Sequence, residues 1–265
     1  MTGEKVAGKF VKLRVMITLL VSSKTMAKKK VGFDLPSSNP LFGDGAEALN
    51  RELAKLSETE LKEVMHISDN LAKEVSEKIR VWPKADRVPA WLLFSGDVYK
   101  GLVAETLEKS DFEWAQNKTW TLSGLYGIAR PLDLISKYRL EAGYKLRIGS
   151  KKNLYEFWGS KIAEALPKDG VIINLSSEEY IKLVRPYVGK DRIVTPLFLQ
   201  TRENDTNSET KFEAIHAKIA RGAMARWIIK NRIDDVSLLK NFSEDGYRFV
   251  AELSSELQPV FIRKI

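Results

Sequence analysis

The sequence predicts an α+β fold, a single compact mixed domain, on three observations. Short runs of β-branched and leucine residues at 15–21, 90–94 and 171–175 have the length and composition of buried strands. The stretches 46–80 and 217–232 instead carry apolar residues at helical spacing. No internal repeat or linker separates the two kinds of segment, so one continuous core is expected.

In chain order, residues 1–15 read as an extension preceding a domain over 16–265, with Met16 as an alternative start. Lys5, Lys9, Lys12 and Arg14 before an apolar run have the grammar of a signal peptide. The run is short, no small-x-small cleavage site follows it, and Lys24, Lys28, Lys29 and Lys30 come straight after, so a buried strand is the better reading. Residues 28–45 form a loop. Leu49, Leu53 and Leu56 make a helical stripe, Ser57 and Glu60 have capping-box spacing before a second helix, and Leu71, Val75 and Ile79 continue the apolar face. After Pro83 and Pro89, residues 90–94 are expected as a strand turning at Gly96-Asp97 into a short helix over 98–106. Residues 171–175 give a further strand that enters a helix after Ser176-Ser177-Glu178. Residues 193–199 and 211–216, on either side of a polar stretch, read as a long β-hairpin. A helix over 217–232 follows.

Composition bounds the chemistry. Among 265 residues, Lys plus Arg number 43 against 35 for Asp plus Glu, a formal charge of +8 that favours polyanionic partners. With no cysteine, disulfides, thiolate metal sites and thiol catalysis are excluded. The two histidines, His66 and His216, do not make a conventional iron or zinc site, although a carboxylate site for Mg²⁺ or Mn²⁺ stays open. No cofactor is expected. No apolar run approaches the ~20 residues of a membrane span, and a cytoplasmic monomer without membrane contact is expected.

Four places could carry function. Two glycines three apart in Ser123-Gly124-Leu125-Tyr126-Gly127, followed by Arg130, could turn backbone N–H groups towards a phosphate, as a hairpin between two helices does; a plain tight turn is the alternative. On the 217–232 helix, Lys218, Arg221 and Arg232 lie opposite Ile219, Ala220, Ala223, Met224 and Trp227, with Arg226 at the border. That basic stripe either tracks a phosphate backbone or is a solvated face. Lys24 and Thr25 close a Ser-Ser-Lys-Thr turn at a strand end, which is anion contact or turn structure and lacks the glycines of a P-loop. Asp97, Asp133, Glu141, Glu178 and Glu179 lie near turns and would form an acid–base pair or a metal site if the strands bring them together.

Several of these segments together resemble the YaaA family. Residues 94–102, FSGDVYKGL, resemble its F-x-G-D-V-Y-x-G-L signature, and residues 122–143, LSGLYGIARPLDLISKYRLEAG, resemble its longest block. LYEFWG at 154–159, INLSSEEY at 173–180 and the 217–232 helix are similar to further blocks in the family's order. The turn after the first strand keeps only Lys24-Thr25 of the family's S-P-A-K-T. The resemblance implies a positively charged cleft, a helix-hairpin-helix-like element, resistance to hydrogen peroxide, limitation of free iron and DNA binding. Carried onto this chain, Ser123, Gly124, Tyr126, Gly127 and Arg130 would hold phosphate, and Lys24, Lys218, Arg221 and Arg226 would line the cleft. The function expected is binding of DNA, duplex or structured, without sequence preference. The alternative is an enzyme acting on a nucleobase, nucleotide or nucleic acid in the same cleft.

Overall fold

The first strand forms where the apolar run predicts it. β1 (Met16–Val21) is buried on both faces, as a strand inside a parallel sheet must be. The computed structural model describes residues 16–201 and 210–265. The extension over 1–15 and the polar stretch over 202–208 lie outside the described residues. Three helices follow β1: α1 (Gly43–Leu53), α2 (Glu58–Met65) and α3 (Asp69–Val81). The capping box is present at α2, with the Ser57 N–H donating to Glu60 Oε2 at 2.8 Å and the Glu60 N–H donating to Ser57 Oγ at 3.3 Å. His66 ends α2 in a left-handed conformation (φ 52°).

β2 (Val88–Pro89) leads into α4 (Ala90–Leu93), α5 (Asp97–Leu102) and α6 (Lys109–Ala115). The expected strand at 90–94 is thus a single helical turn. All four residues of α4 are buried, so apolar content alone could not separate the two conformations. β3 (Thr119–Ser123) and β4 (Gly127–Ala129) are antiparallel, with Ser123 opposite Gly127 and Thr121 opposite Ala129. The helix-hairpin-helix expectation is corrected here. The two glycines sit in a β-hairpin that belongs to the main sheet, and Pro131 opens no helix.

β5 (Leu134–Ile135), α7 (Leu154–Trp158) and α8 (Lys161–Ala165) connect the hairpin to β6 (Val171–Asn174) and α9 (Glu178–Ile181). β7 (Ile193–Val194) and β8 (Leu197–Thr201) precede the long α10 (Ala214–Lys230), and β9 (Arg248–Phe249) and β10 (Val260–Lys264) follow it. Among the described residues, the hairpin expected from arms 193–199 and 211–216 is reduced to one antiparallel bridge between Gln200 and Lys211. The full partner of β8 is β10, and the expected second arm runs into α10.

The main sheet has the order β4-β3-β1-β6-β7, parallel except for β4. A smaller sheet, β8-β10-β9, packs Phe198 and Phe261 against Phe242 and Tyr247. α10 lies across α5 with almost no space between the backbones. A methyl group at Gly222 would overlap the carbonyl oxygen of Val98 and approach Leu102 N to 2.8 Å. One at Gly101 would overlap the carbonyl oxygen of Ile219. α10 buries Ala217, Ala220, Gly222, Ala223, Met224, Ala225, Ile228 and Ile229, which is most of its circumference. No helix among the described residues is long and apolar enough to cross a membrane.

Candidate functional site

In the main sheet the chain leaves β1 for β3 on one side and later for β6 on the other. That makes the carboxyl end of β1 a switch point, where open parallel sheets leave a crevice. A cleft of about 390 Å³ lies there. Ser22, Ser23, Lys24 and Thr25 enter it from the end of β1, and Asp97 from the start of α5. Ser177, Glu179 and Tyr180 come from the start of α9, and Lys218 and Arg221 from α10. Glu141 completes the lining from the segment after β5.

Of the predicted residues, Lys24, Thr25, Lys218 and Arg221 therefore meet in one cleft. The others do not. Ser123, Gly124, Tyr126 and Gly127 are buried, and their polar groups serve the protein itself. Ser123 Oγ lies 2.6 Å from the Tyr138 hydroxyl and accepts the Tyr126 N–H at 3.0 Å. The Tyr126 hydroxyl accepts the Ser136 N–H at 3.1 Å. The indole of Trp158 donates to the Gly124 carbonyl at 3.0 Å. Arg130 lies over the Trp120 ring and pairs with buried Asp133 at 3.4 Å, away from the cleft lining. Arg226 donates to the carbonyls of Leu102 and Val103 at 3.1 and 3.2 Å and so closes the end of α5. Arg232, the remaining member of the predicted basic stripe, pairs with Asp111 at 2.9 Å. The Arg226 and Arg232 part of the stripe is thus used in structural contacts, while Lys218 and Arg221 face the cleft.

The glycine hairpin still bears on the site. A methyl group at Gly124 would overlap the Leu140 carbonyl oxygen and reach within 3.1 Å of the Glu141 carbonyl carbon. Gly127 needs its glycine to adopt φ +67°. The hairpin is the bed on which the Glu141 segment lies.

Carboxylates share the cleft with the cations, three against three, where a positively charged cleft is the expectation. Asp97, Glu141 and Glu179 face it together with Lys24, Lys218 and Arg221. Asp97 is bound to Lys100 at 2.8 Å, which holds its carboxyl below the usual range. Glu179 accepts the Gly143 N–H at 2.8 Å. Glu178, a neighbour in sequence, turns away and forms a two-toothed pair with Arg185 at 2.7 and 2.9 Å. Glu141 is the enclosed member, its side chain 13% exposed and 3.6 Å from Lys24 Nζ. Burial pushes its carboxyl above the usual range; Lys24 and Tyr180 offset this in part, and the charge of Glu179 adds to it. The Tyr180 hydroxyl accepts a hydrogen bond from Ser22 at 3.3 Å, and burial raises it well above the usual phenol range. Ser177 and Tyr180 are cleft residues that the sequence reading did not select. The one local signal was an N-cap serine at a strand end, since Ser177 accepts the Tyr180 N–H.

Two cations remain. Neither Lys218 nor Arg221 has a hydrogen bond or an ion pair among the described residues, and the Arg221 Nε is buried without a partner. A buried donor in an open crevice is satisfied by an acceptor that enters it, whether a water or a ligand atom.

The raised carboxyl of Glu141 gives a stability prediction. A group whose folded pKa is raised supports the fold fully below its unfolded pKa and loses that support as pH rises through the folded value. Glu141→Gln cannot ionise. Its midpoint in urea should therefore exceed the wild-type midpoint at about pH 8, with the gap closing towards about pH 4. A gap that widens in acid would contradict the burial argument.

Fold and cleft together define a one-domain α+β protein with a polar cleft at the switch point of a mostly parallel sheet. The chain belongs to the family of the peroxide stress protein YaaA, whose family model matches residues 16–253. It is similar to a UPF0246 protein of Clostridium perfringens, 40% identical over 257 residues, which span 94% of this chain and 100% of the relative. It is also similar to UPF0246 proteins of Salinispora tropica, at 39% identity over 93% of this chain and 94% of the relative, and of Ruegeria pomeroyi, at 38% over 87% and 92%.

Proposed function

We propose that the protein serves the response to hydrogen peroxide by binding DNA through phosphate contacts in the switch-point cleft, and so limits iron-driven damage to the bound strand. The observation that carries this reading is the unpaired Lys218 and Arg221 at the carboxyl ends of the parallel strands. Lys24 is half engaged with Glu141, and three carboxylates interrupt the cationic surface. Only one or two phosphates can then be neutralised. The logarithm of affinity should fall with the logarithm of salt at a slope of roughly 1 to 2, at ~0.7–0.9 per phosphate, instead of the steep slope of a long basic groove. Arg221→Ala should weaken all DNA sequences alike by about 10- to 100-fold, the worth of a charge-assisted hydrogen bond. Fluorescence titration of duplex, forked and single-stranded DNA at several salt concentrations measures both. Binding that ignores Arg221→Ala would remove the cleft from the account.

A second reading, chemistry on a nucleobase or nucleotide in the same cleft, is favoured by Glu141. A buried carboxyl whose pKa is raised by its enclosure and that sits beside a lysine is the kind of group that serves as a general acid or base.

A further inference from the structure

The cleft has two chemically distinct poles. Lys218 and Arg221 stand three residues apart on α10, one turn of helix, and their free donors form a compact anion pole. Across from it, Glu141 is enclosed beside Lys24 and Tyr180. Asp97 is held by Lys100 at 2.8 Å and also feels the charge of Lys218.

Three physical arguments identify an occupant. The first is size. At about 390 Å³ the cleft falls within the ~300–1,000 Å³ range of small-molecule sites and cannot enclose a duplex. The second is charge. Two cations without a hydrogen-bonded or ion-paired partner among the described residues match one phosphate, whereas successive phosphates of a strand laid along the cleft would meet the carboxylates of Asp97 and Glu179. The third is hydrogen-bond pattern. Burial of Glu141 in the cleft favours the form of its carboxyl that holds the proton, which presents one O–H donor beside one C=O acceptor. That fork complements the adjacent donor and acceptor atoms on the edge of a heteroaromatic amide or amidine, which is what a nucleobase displays. Ser22 and Ser23 also line the cleft and bring hydroxyls of the kind that bind a sugar.

We propose that the cleft seats a single nucleoside monophosphate unit, with its phosphate on Lys218 and Arg221 and its base edge on the Glu141 carboxyl. The inference rests on the phosphate-binding reading above and narrows its ligand from a strand to one nucleotide. The same unit can be supplied by a free nucleotide or by the phosphorylated end of a DNA strand.

Isothermal titration calorimetry of the full chain separates these cases. The probes are the four deoxynucleoside 5′-monophosphates, the matching nucleosides, inorganic phosphate, and a DNA hairpin with and without a 5′-phosphate. At least one monophosphate should bind about tenfold or more tighter than inorganic phosphate and than its nucleoside. Arg221→Ala should lose about tenfold on every phosphate-bearing probe. Glu141→Ala should lose about tenfold on the monophosphate and nothing on inorganic phosphate. Glu141→Gln, whose amide keeps a donor beside an acceptor, should stay within about threefold of wild type. The melting temperature of each variant shows whether the fold is intact. Preference for the phosphorylated hairpin would name the strand end as the source, and preference for the free monophosphate a metabolite; either supports the seat. Equal affinity for inorganic phosphate and all monophosphates, or Glu141→Ala binding like wild type, overturns the single-nucleotide seat alone. Absence of binding by every phosphate-bearing probe overturns the phosphate reading with it.

Discussion

Gly222→Ala should unfold this protein or lower its melting temperature by roughly 10 °C or more. Two effects of opposite sign compete at this position. Alanine raises helix propensity over glycine by about 1 kcal/mol in a helix interior, which alone would stabilise α10. Against this, the new methyl group would overlap the Val98 carbonyl oxygen and crowd Leu102 N, both backbone atoms of α5. Overpacking against side chains costs about 1–3 kcal/mol. Here no side chain can rotate away, so the whole α5–α10 contact must open, and about 4 kcal/mol or more is the expected loss. For a chain of this size each kcal/mol moves the melting temperature by roughly 2–4 °C. Gly101→Ala should behave alike, since it would strike the Ile219 carbonyl oxygen from the other side. Gly43→Ala is the control, because nothing lies within 4 Å of its position. Thermal melts of the three variants decide the matter. If Gly222→Ala matched wild type, the close helix crossing would be wrong.

Trp158→Ala should have the next largest effect, a loss of about 3–5 kcal/mol. The side chain is 1% exposed. Its indole donates to the Gly124 carbonyl, and its ring packs on Phe42 and Phe157 with centroids 5.5 and 5.0 Å apart. The same ring lies against the faces of Gly45 and Gly127. Removing it empties the space below the hairpin that supports Glu141, so ligand affinity should fall along with stability. Trp158→Phe keeps most of the volume and loses the hydrogen bond. It should cost about 1–3 kcal/mol, the penalty of the unmatched Gly124 carbonyl together with a small cavity. Equilibrium denaturation of both variants measures these losses. A Phe variant as damaged as the Ala variant would show that the hydrogen bond outweighs the packing.

How much of this was legible in the sequence depended on whether the signal was local. β1 and β6 announced themselves as short apolar runs, and α2 through the reciprocal chemistry of Ser57 and Glu60, because each is decided within a few residues. The turn at 90–93 reads as a strand in the sequence because all four of its residues are buried, and a fully buried segment has no polar face to mark its period. The glycines at 124 and 127 leave a phosphate loop and a plain tight turn equally open in the sequence, because glycine states only that space or a positive φ is needed. What fills the space, the Leu140 carbonyl and the Trp158 ring, lies far along the chain. Helical geometry did place Lys218 and Arg221 together. It could not show that Arg226 and Arg232 are used by Leu102, Val103 and Asp111, since those contacts span more than a hundred residues. Asp97, Glu141 and Glu179 were visible as candidates, but their meeting depends on strand order, which no local pattern encodes.

The assembly of the cleft from positions 24, 97, 141, 179, 218 and 221 has a practical outcome. No short stretch of chain contains both poles, so the unfolded protein has no counterpart of the site. A ligand of the cleft then binds the native state alone, and occupancy adds RT ln(1 + [L]/Kd) to stability, about 2.7 kcal/mol at a hundredfold excess over Kd. At roughly 2–4 °C per kcal/mol that is a rise of about 5–11 °C in melting temperature. The folded chain is in this sense its own detector, and a collection of metabolites and short DNAs can be sorted by heat before any reaction is known.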